Sequence, residues 1–111
     1  MNIGEYKQLA SLIRDNDTYK VYDLTQLDQL NVSLTELYPH KSTSGHAHDA
    51  ADEVYFFIEG MGTMEIDKDR KEVKAGDIVT VPGGKFHKVY NESDKNLSFW
   101  TVFEKYEGRG K

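Results

Sequence analysis

Four side chains of this 111-residue chain are spaced so that they could hold a metal ion. His46 and His48 are two apart, so on an extended strand both imidazoles project from one face. Ser42 and Ser44 share that parity, and their small side chains leave space around the rings. Glu53 follows a short loop and opens a strongly β-prone run. His87 stands far along the chain, just after Pro82-Gly83-Gly84-Lys85-Phe86, and would complete the set from a neighbouring strand. Three imidazoles and one carboxylate suit a single divalent ion of Fe, Mn, Co, Ni, Cu or Zn, all of which accept nitrogen and oxygen donors. One or two coordination positions would stay open on a five- or six-coordinate ion, as a catalytic rather than a closed structural site requires. Taken singly, a His-x-His pair or a strand-edge glutamate is ordinary; the weight rests on their joint spacing. Cysteine is absent, so thiolate ligands and disulfides are excluded.

The elements that would position these residues are short and mostly extended. Tyr6, Leu9, Ala10 and Ile13 recur at helical spacing and predict an amphipathic helix over 5–14, which Asn16-Asp17 ends. From Tyr19 onward the period is two: Leu30, Val32, Leu34 and Glu36 alternate with Asn31, Ser33, Thr35 and Leu37 as far as Pro39. Further β-runs are expected at 53–58, 62–66, 71–74, 77–81, 86–90 and 97–103. Gly60, Asp67-Lys68-Asp69, Ala75-Gly76, Pro82-Gly83-Gly84 and Asn91 to Asn96 separate them. Short strands without intervening helices point to an all-β sandwich or jelly roll with an N-terminal helix. The length allows one domain, 1–111. The mixed-sign stretch Asp67 to Lys74 reads as a solvated loop, and the tail 106–111 as mobile.

The run Gly45-His46-Ala47-His48, with Glu53 and Gly60, resembles the core and end of the first cupin motif, here 45–60. Gly76, Pro82, Gly84, His87 and Asn91 resemble the second, here 76–91, at every fixed position. The chain is thus identified as a small single-domain cupin. The resemblance implies a double-stranded β-helix, the cupin jelly-roll barrel, with His46, His48, Glu53 and His87 as metal ligands. Elementary turn chemistry agrees. Pro82-Gly83-Gly84 makes a tight bend before His87, and Asn91 is read as a turn former. His40, behind Pro39, matches no ligand position.

Cupins host many chemistries, so function must come from the lining. If Glu53 faces inward, Tyr55 and Phe57 share its face, while Val54, Phe56 and Ile58 face away. On 97–103 either Phe99, Thr101 and Phe103 or Ser98, Trp100 and Val102 point inward; parity alone leaves both open. Tyr38 and Glu36 share a face with Leu34, and Tyr38 is counted with Phe57 among pocket residues. Thr43 to His48, followed by Glu53-Val54-Tyr55, is similar to a stretch of the cupin-type phosphoglucose isomerases of archaea. That likeness implies an aldose–ketose isomerase acting on a sugar or sugar phosphate. Thr43 and the Gly45 backbone would hold phosphate, and Glu53 or the Tyr55 hydroxyl would move the proton. A second expectation is a dioxygenase resembling the quercetin-cleaving cupins. A third is a metal-dependent ligand-binding or regulatory module without turnover.

A net charge of −5 argues against a nucleic-acid partner. The start MNIGEYKQLAS lacks the pattern of a signal peptide, and no apolar run is long enough for a bilayer. A cytoplasmic protein with a small-molecule ligand, and no nucleic-acid or membrane partner, is expected. The resemblance also implies a homodimer, in which a second copy would cover Val54, Phe56 and Ile58. The alternative is a monomer whose helix 5–14 caps that face.

Overall fold

The computed structural model describes residues 1–47 and 51–106. One helix, α1 (Ile3–Leu9), precedes nine strands. They are β1 (Ser11–Asp15), β2 (Tyr19–Leu24), β3 (Leu30–Leu37), β4 (Glu53–Glu59), β5 (Met61–Ile66), β6 (Asp69–Lys74), β7 (Ile78–Val81), β8 (His87–Tyr90) and β9 (Leu97–Glu104). Two antiparallel sheets, ordered β1-β2-β3-β9-β4-β7 and β6-β5-β8, form a jelly-roll barrel. Bridges Ser42↔Tyr90 and His46↔His87 lay the segment before β4 along the outer edge of β8. Among the described residues, no helix is long and apolar enough to cross a membrane.

The helix is shorter than its periodicity suggests. Asn2 caps it, its Oδ1 accepting from Glu5 N at 2.9 Å, but the backbone turns extended at Ala10. Residues 11–14, expected as its second half, belong to β1 and pair with β2 instead, with a bulge between Leu12 and Arg14. Asn16 Oδ1 accepts from the amides of Thr18 and Tyr19 and closes that hairpin. A ladder to β2 satisfies these backbone groups as fully as a helix would, and here tertiary pairing overrides local spacing. Leu9 and Leu12 are accordingly exposed. The β-run expected at 71–74 is β6, which begins two residues earlier, at Asp69; the charged stretch is solvated as expected except for Val73, which turns into the core.

The inward faces follow from burial. Leu97, Phe99, Thr101 and Phe103 point inward on β9, which resolves the parity left open by sequence. Tyr55, Phe57 and Phe99 form an aromatic cluster with ring centroids 5.2–6.4 Å apart. Leu37, Met64, Val73, Val79, Val81, Val89 and Leu97 complete the core.

On β3 the inward set is Asn31, Ser33, Thr35 and Leu37, and the more apolar Val32 and Leu34 face outward. Leu34 is nonetheless buried, in register between Tyr22 and Trp100 on the face where α1 lies. Tyr6 packs edge-on against Trp100 at 4.7 Å and donates to the carbonyls of Tyr22 and Val32. The helix therefore covers that part of the sheet and leaves Val54 and Phe56 exposed, so the capping expected of it over those residues does not occur.

Candidate metal centre

Three elements bring the donor atoms together. Glu53 is the first residue of β4, and its neighbours Phe103 and Val81 fix it on the inner face. His87 is the first residue of β8. The Pro82-Gly83-Gly84 bend behind it is pinned by Gly83 N donating to Asp52 Oδ1 and Phe86 N donating to Asp67 Oδ1. Gly84 sits at φ +86°, a backbone region that suits glycine. His46 is tied to His87 by a reciprocal backbone pair, at 3.2 and 2.9 Å. Gly45 packs beneath Phe86, where a Cβ would lie only 2.2 Å from the ring.

His46, Glu53 and His87 each offer a ligand atom, and these atoms lie within 4.8 Å of one another. Glu53 is 4% exposed and His87 2%. Both imidazoles place Nδ1 at 3.1 Å from a carbonyl, that of Ser44 for His46 and of Lys85 for His87. With Nδ1–H donating, the neutral rings carry the lone pair on Nε2, which is the usual arrangement of a ligating histidine. Glu53 Oε2 faces His87 Nε2 at 2.8 Å, and that buried oxygen makes no hydrogen bond of good geometry.

Burial works against a charge on His87, but the negative Glu53 carboxylate 2.8 Å away, with the Lys85 carbonyl, outweighs it and raises its pKa above the ordinary 6.5. Buried polar atoms are rarely left without partners, and two imidazoles with a carboxylate converging on one point suit a divalent transition ion. The residues present therefore fit a metal. His48, expected as a fourth ligand, lies outside the described residues.

The remaining expected site residues are placed as follows. Tyr55 is buried on the Glu53 face, its ring 5.9 Å from that of His87. Phe57 shares the face but is wholly enclosed by the apolar core. Thr43 Oγ1 accepts the amide of Val89 at 3.0 Å, which gives the hydroxyl a structural task. Tyr38 lies one residue past β3 and is half-buried; its amide donates to the Thr18 carbonyl at 3.0 Å and its carbonyl accepts from Asn91 Nδ2 at 3.1 Å. His40 pairs with Asp94 on the surface at 2.7 Å. Asn91 is buried, donates to the carbonyls of Leu37, Tyr38 and Lys95, and accepts from Ser93, as a turn former should. Sequence reasoning missed Asp23, Asn31 and Ser33, which with Thr101 make the inner face polar on the Glu53 side. Their signal was polar character at the parity of Val21 and Leu37.

A jelly-roll barrel in which half-buried His46 meets buried Glu53 and His87 defines the class: a β-barrel with a candidate metal site. The Cupin domain family matches residues 33–103, and the chain belongs to that family. It is similar to an acireductone dioxygenase of Parvibaculum lavamentivorans, 30% identical over 89 residues, covering 77% of this chain and 47% of that one. An acireductone dioxygenase of Bacillus mycoides is 29% identical over 107 residues, with 92% and 61% covered. The chain thus spans less than two thirds of the length of these curated relatives. In fold it resembles the crystal structure of TT1209 from Thermus thermophilus, with a TM-score of 0.77, 24% identity, and 94% and 97% of the two chains covered.

Proposed function

We propose that this cupin is a metal-dependent enzyme acting on a small oxygen-rich molecule, and that its reaction is a dioxygenation of the acireductone type. The observation that carries this reading is the convergence of half-buried His46 with buried Glu53 and His87, joined to the likeness to two acireductone dioxygenases. His46, Glu53 and His87, with His48 as a fourth donor, would hold the ion. When bound it would supply Lewis acidity and a meeting point for oxygen ligands. Buried Glu53 would be the group to hold a proton taken from an acidic ligand hydroxyl. Tyr55, Phe57 and Phe99 close the wall beneath it and exclude water. Tyr55 is the further candidate for contact with the ligand.

The isomerase reading ranks second, because the curated relatives described above are dioxygenases and Thr43 Oγ1 already accepts the amide of Val89. The test is oxygen uptake by protein loaded separately with Fe(II) and Ni(II), using a synthetic acireductone as substrate. Metal-dependent uptake abolished by Glu53→Gln is expected. Metal retention without uptake, but with interconversion of an aldose and a ketose, would move the isomerase ahead. Neither activity would leave the ligand-binding module. We also propose a cytoplasmic homodimer, with a second copy covering Val54, Phe56 and Ile78, which are 41%, 40% and 62% exposed.

A further inference from the structure

The inner face of the larger sheet divides into two halves. On one side the rows are apolar: Phe99 lies opposite Phe57, and Leu37 opposite Leu97. On the other side Asn31, Phe103 and Glu53 stand in one row, and Asp23, Ser33, Thr101 and Tyr55 in the next. Asp23, Asn31, Ser33 and Thr101 are all buried. A barrel that needed only a core would fill these places with apolar side chains.

Within this wall, Asn31 is 2% exposed and donates through Nδ2 to Asp23 Oδ2 at 2.9 Å. That bond fixes the amide, because the flipped orientation would set Oδ1 against a carboxylate. Asn31 Oδ1 is therefore turned away from Asp23, and it is buried with no hydrogen-bond partner among the described residues. An unpaired buried acceptor calls for a donor from elsewhere. Asn31 lies two strand spacings from Glu53, about 10 Å between backbones, and both side chains reach inward. A ligand of a few carbons would bridge them.

We propose that Asn31 Oδ1, held in place by Asp23, is a ligand-positioning subsite. It takes the hydrogen-bond donor, a hydroxyl or an ammonium, at the far end of a small molecule whose oxygen-rich end lies at His46, Glu53 and His87. The subsite rests on the metal reading above. It adds that the ligand is two-ended and polar at both ends, and that Asn31 selects against a ligand with an apolar end.

The test uses zinc-loaded protein and three six-carbon hydroxamates, identical at the chelating end and ending in a methyl, a hydroxyl or an ammonium group. Calorimetry on the native protein should show the hydroxyl- or ammonium-ended compound binding about tenfold tighter than the methyl-ended one. Whichever is tighter identifies the donor. In Asn31→Leu the advantage should vanish, while zinc stoichiometry and the methyl-ended affinity persist. A second measurement needs no variant: in amide NMR of the native protein, the Asn31 side-chain resonances should shift with the donor-ended compound and not with the methyl-ended one. Equal affinities in zinc-bound native protein, or an advantage that survives in Asn31→Leu, would overturn the subsite alone. Failure to take up zinc, together with no binding of any hydroxamate, would overturn the metal reading and this subsite with it.

Discussion

On the proposed reading a proton and a metal ion compete for His87, and Glu53 favours both. Without an ion, the Glu53 carboxylate at 2.8 Å raises the pKa of His87 against the effect of burial. A raised folded-state pKa adds stability that is fully present below the ordinary histidine value and is lost as pH rises through the folded value. The ion needs His87 neutral, so its affinity must change in the opposite sense. The rise in melting temperature on adding zinc should therefore grow from pH 5.5 to pH 8, while the metal-free protein loses the contribution of the pair over the same range. Paired thermal scans check this, and a zinc increment independent of pH would remove His87 from the ligand set. Glu53→Gln should weaken metal retention, since a neutral amide is the poorer donor. Retention unchanged with turnover lost would make Glu53 a base only.

At the scale of elements, the connections matter as much as the strands. Asn91 joins the end of β8 to the carbonyls of Leu37, Tyr38 and Lys95. Asn91→Ala should cost about 2–4 kcal/mol in urea unfolding, because it strands buried carbonyls. Phe57→Ala should cost about 3–5 kcal/mol by opening a cavity in the aromatic cluster. Most strands were legible because turn residues bracket them and apolar residues alternate within them, as on β4, where Glu53, Tyr55 and Phe57 face inward. The grouping of His46, Glu53 and His87 was legible in the motif spacing: Glu53 and His87 each open a strand, and His46 is bridged to His87. Two things were not legible. Residues 11–14 carry helical spacing but find a strand partner, which only the tertiary fold decides. On β3 the apolar Val32 and Leu34 suggested the core face, yet they lie on the side of α1 while Asn31 and Ser33 turn inward. A hydrophobic pattern reports burial without saying which layer does the burying, and a polar interior inverts it.

Over the whole molecule, the inner face of the larger sheet is apolar toward Phe57, Phe99 and Leu97 and polar toward Glu53, where Asp23, Asn31, Ser33 and Thr101 are buried. The outer face is also divided: α1 covers Trp100, and Val54, Phe56 and Ile78 remain open to solvent. If a second copy covers them, sedimentation should give a dimer for the native protein and a monomer for Phe56→Asp. A native monomer would sink that assembly and leave the metal centre untouched. The central claim is the centre itself, and elemental analysis tests it most directly. Protein purified without chelator or affinity metal should hold close to one equivalent of iron, manganese, cobalt, nickel, copper or zinc, and the folded His46→Ala/His87→Ala variant should hold none. The same metal content in both proteins, or none in either after reconstitution, would contradict it.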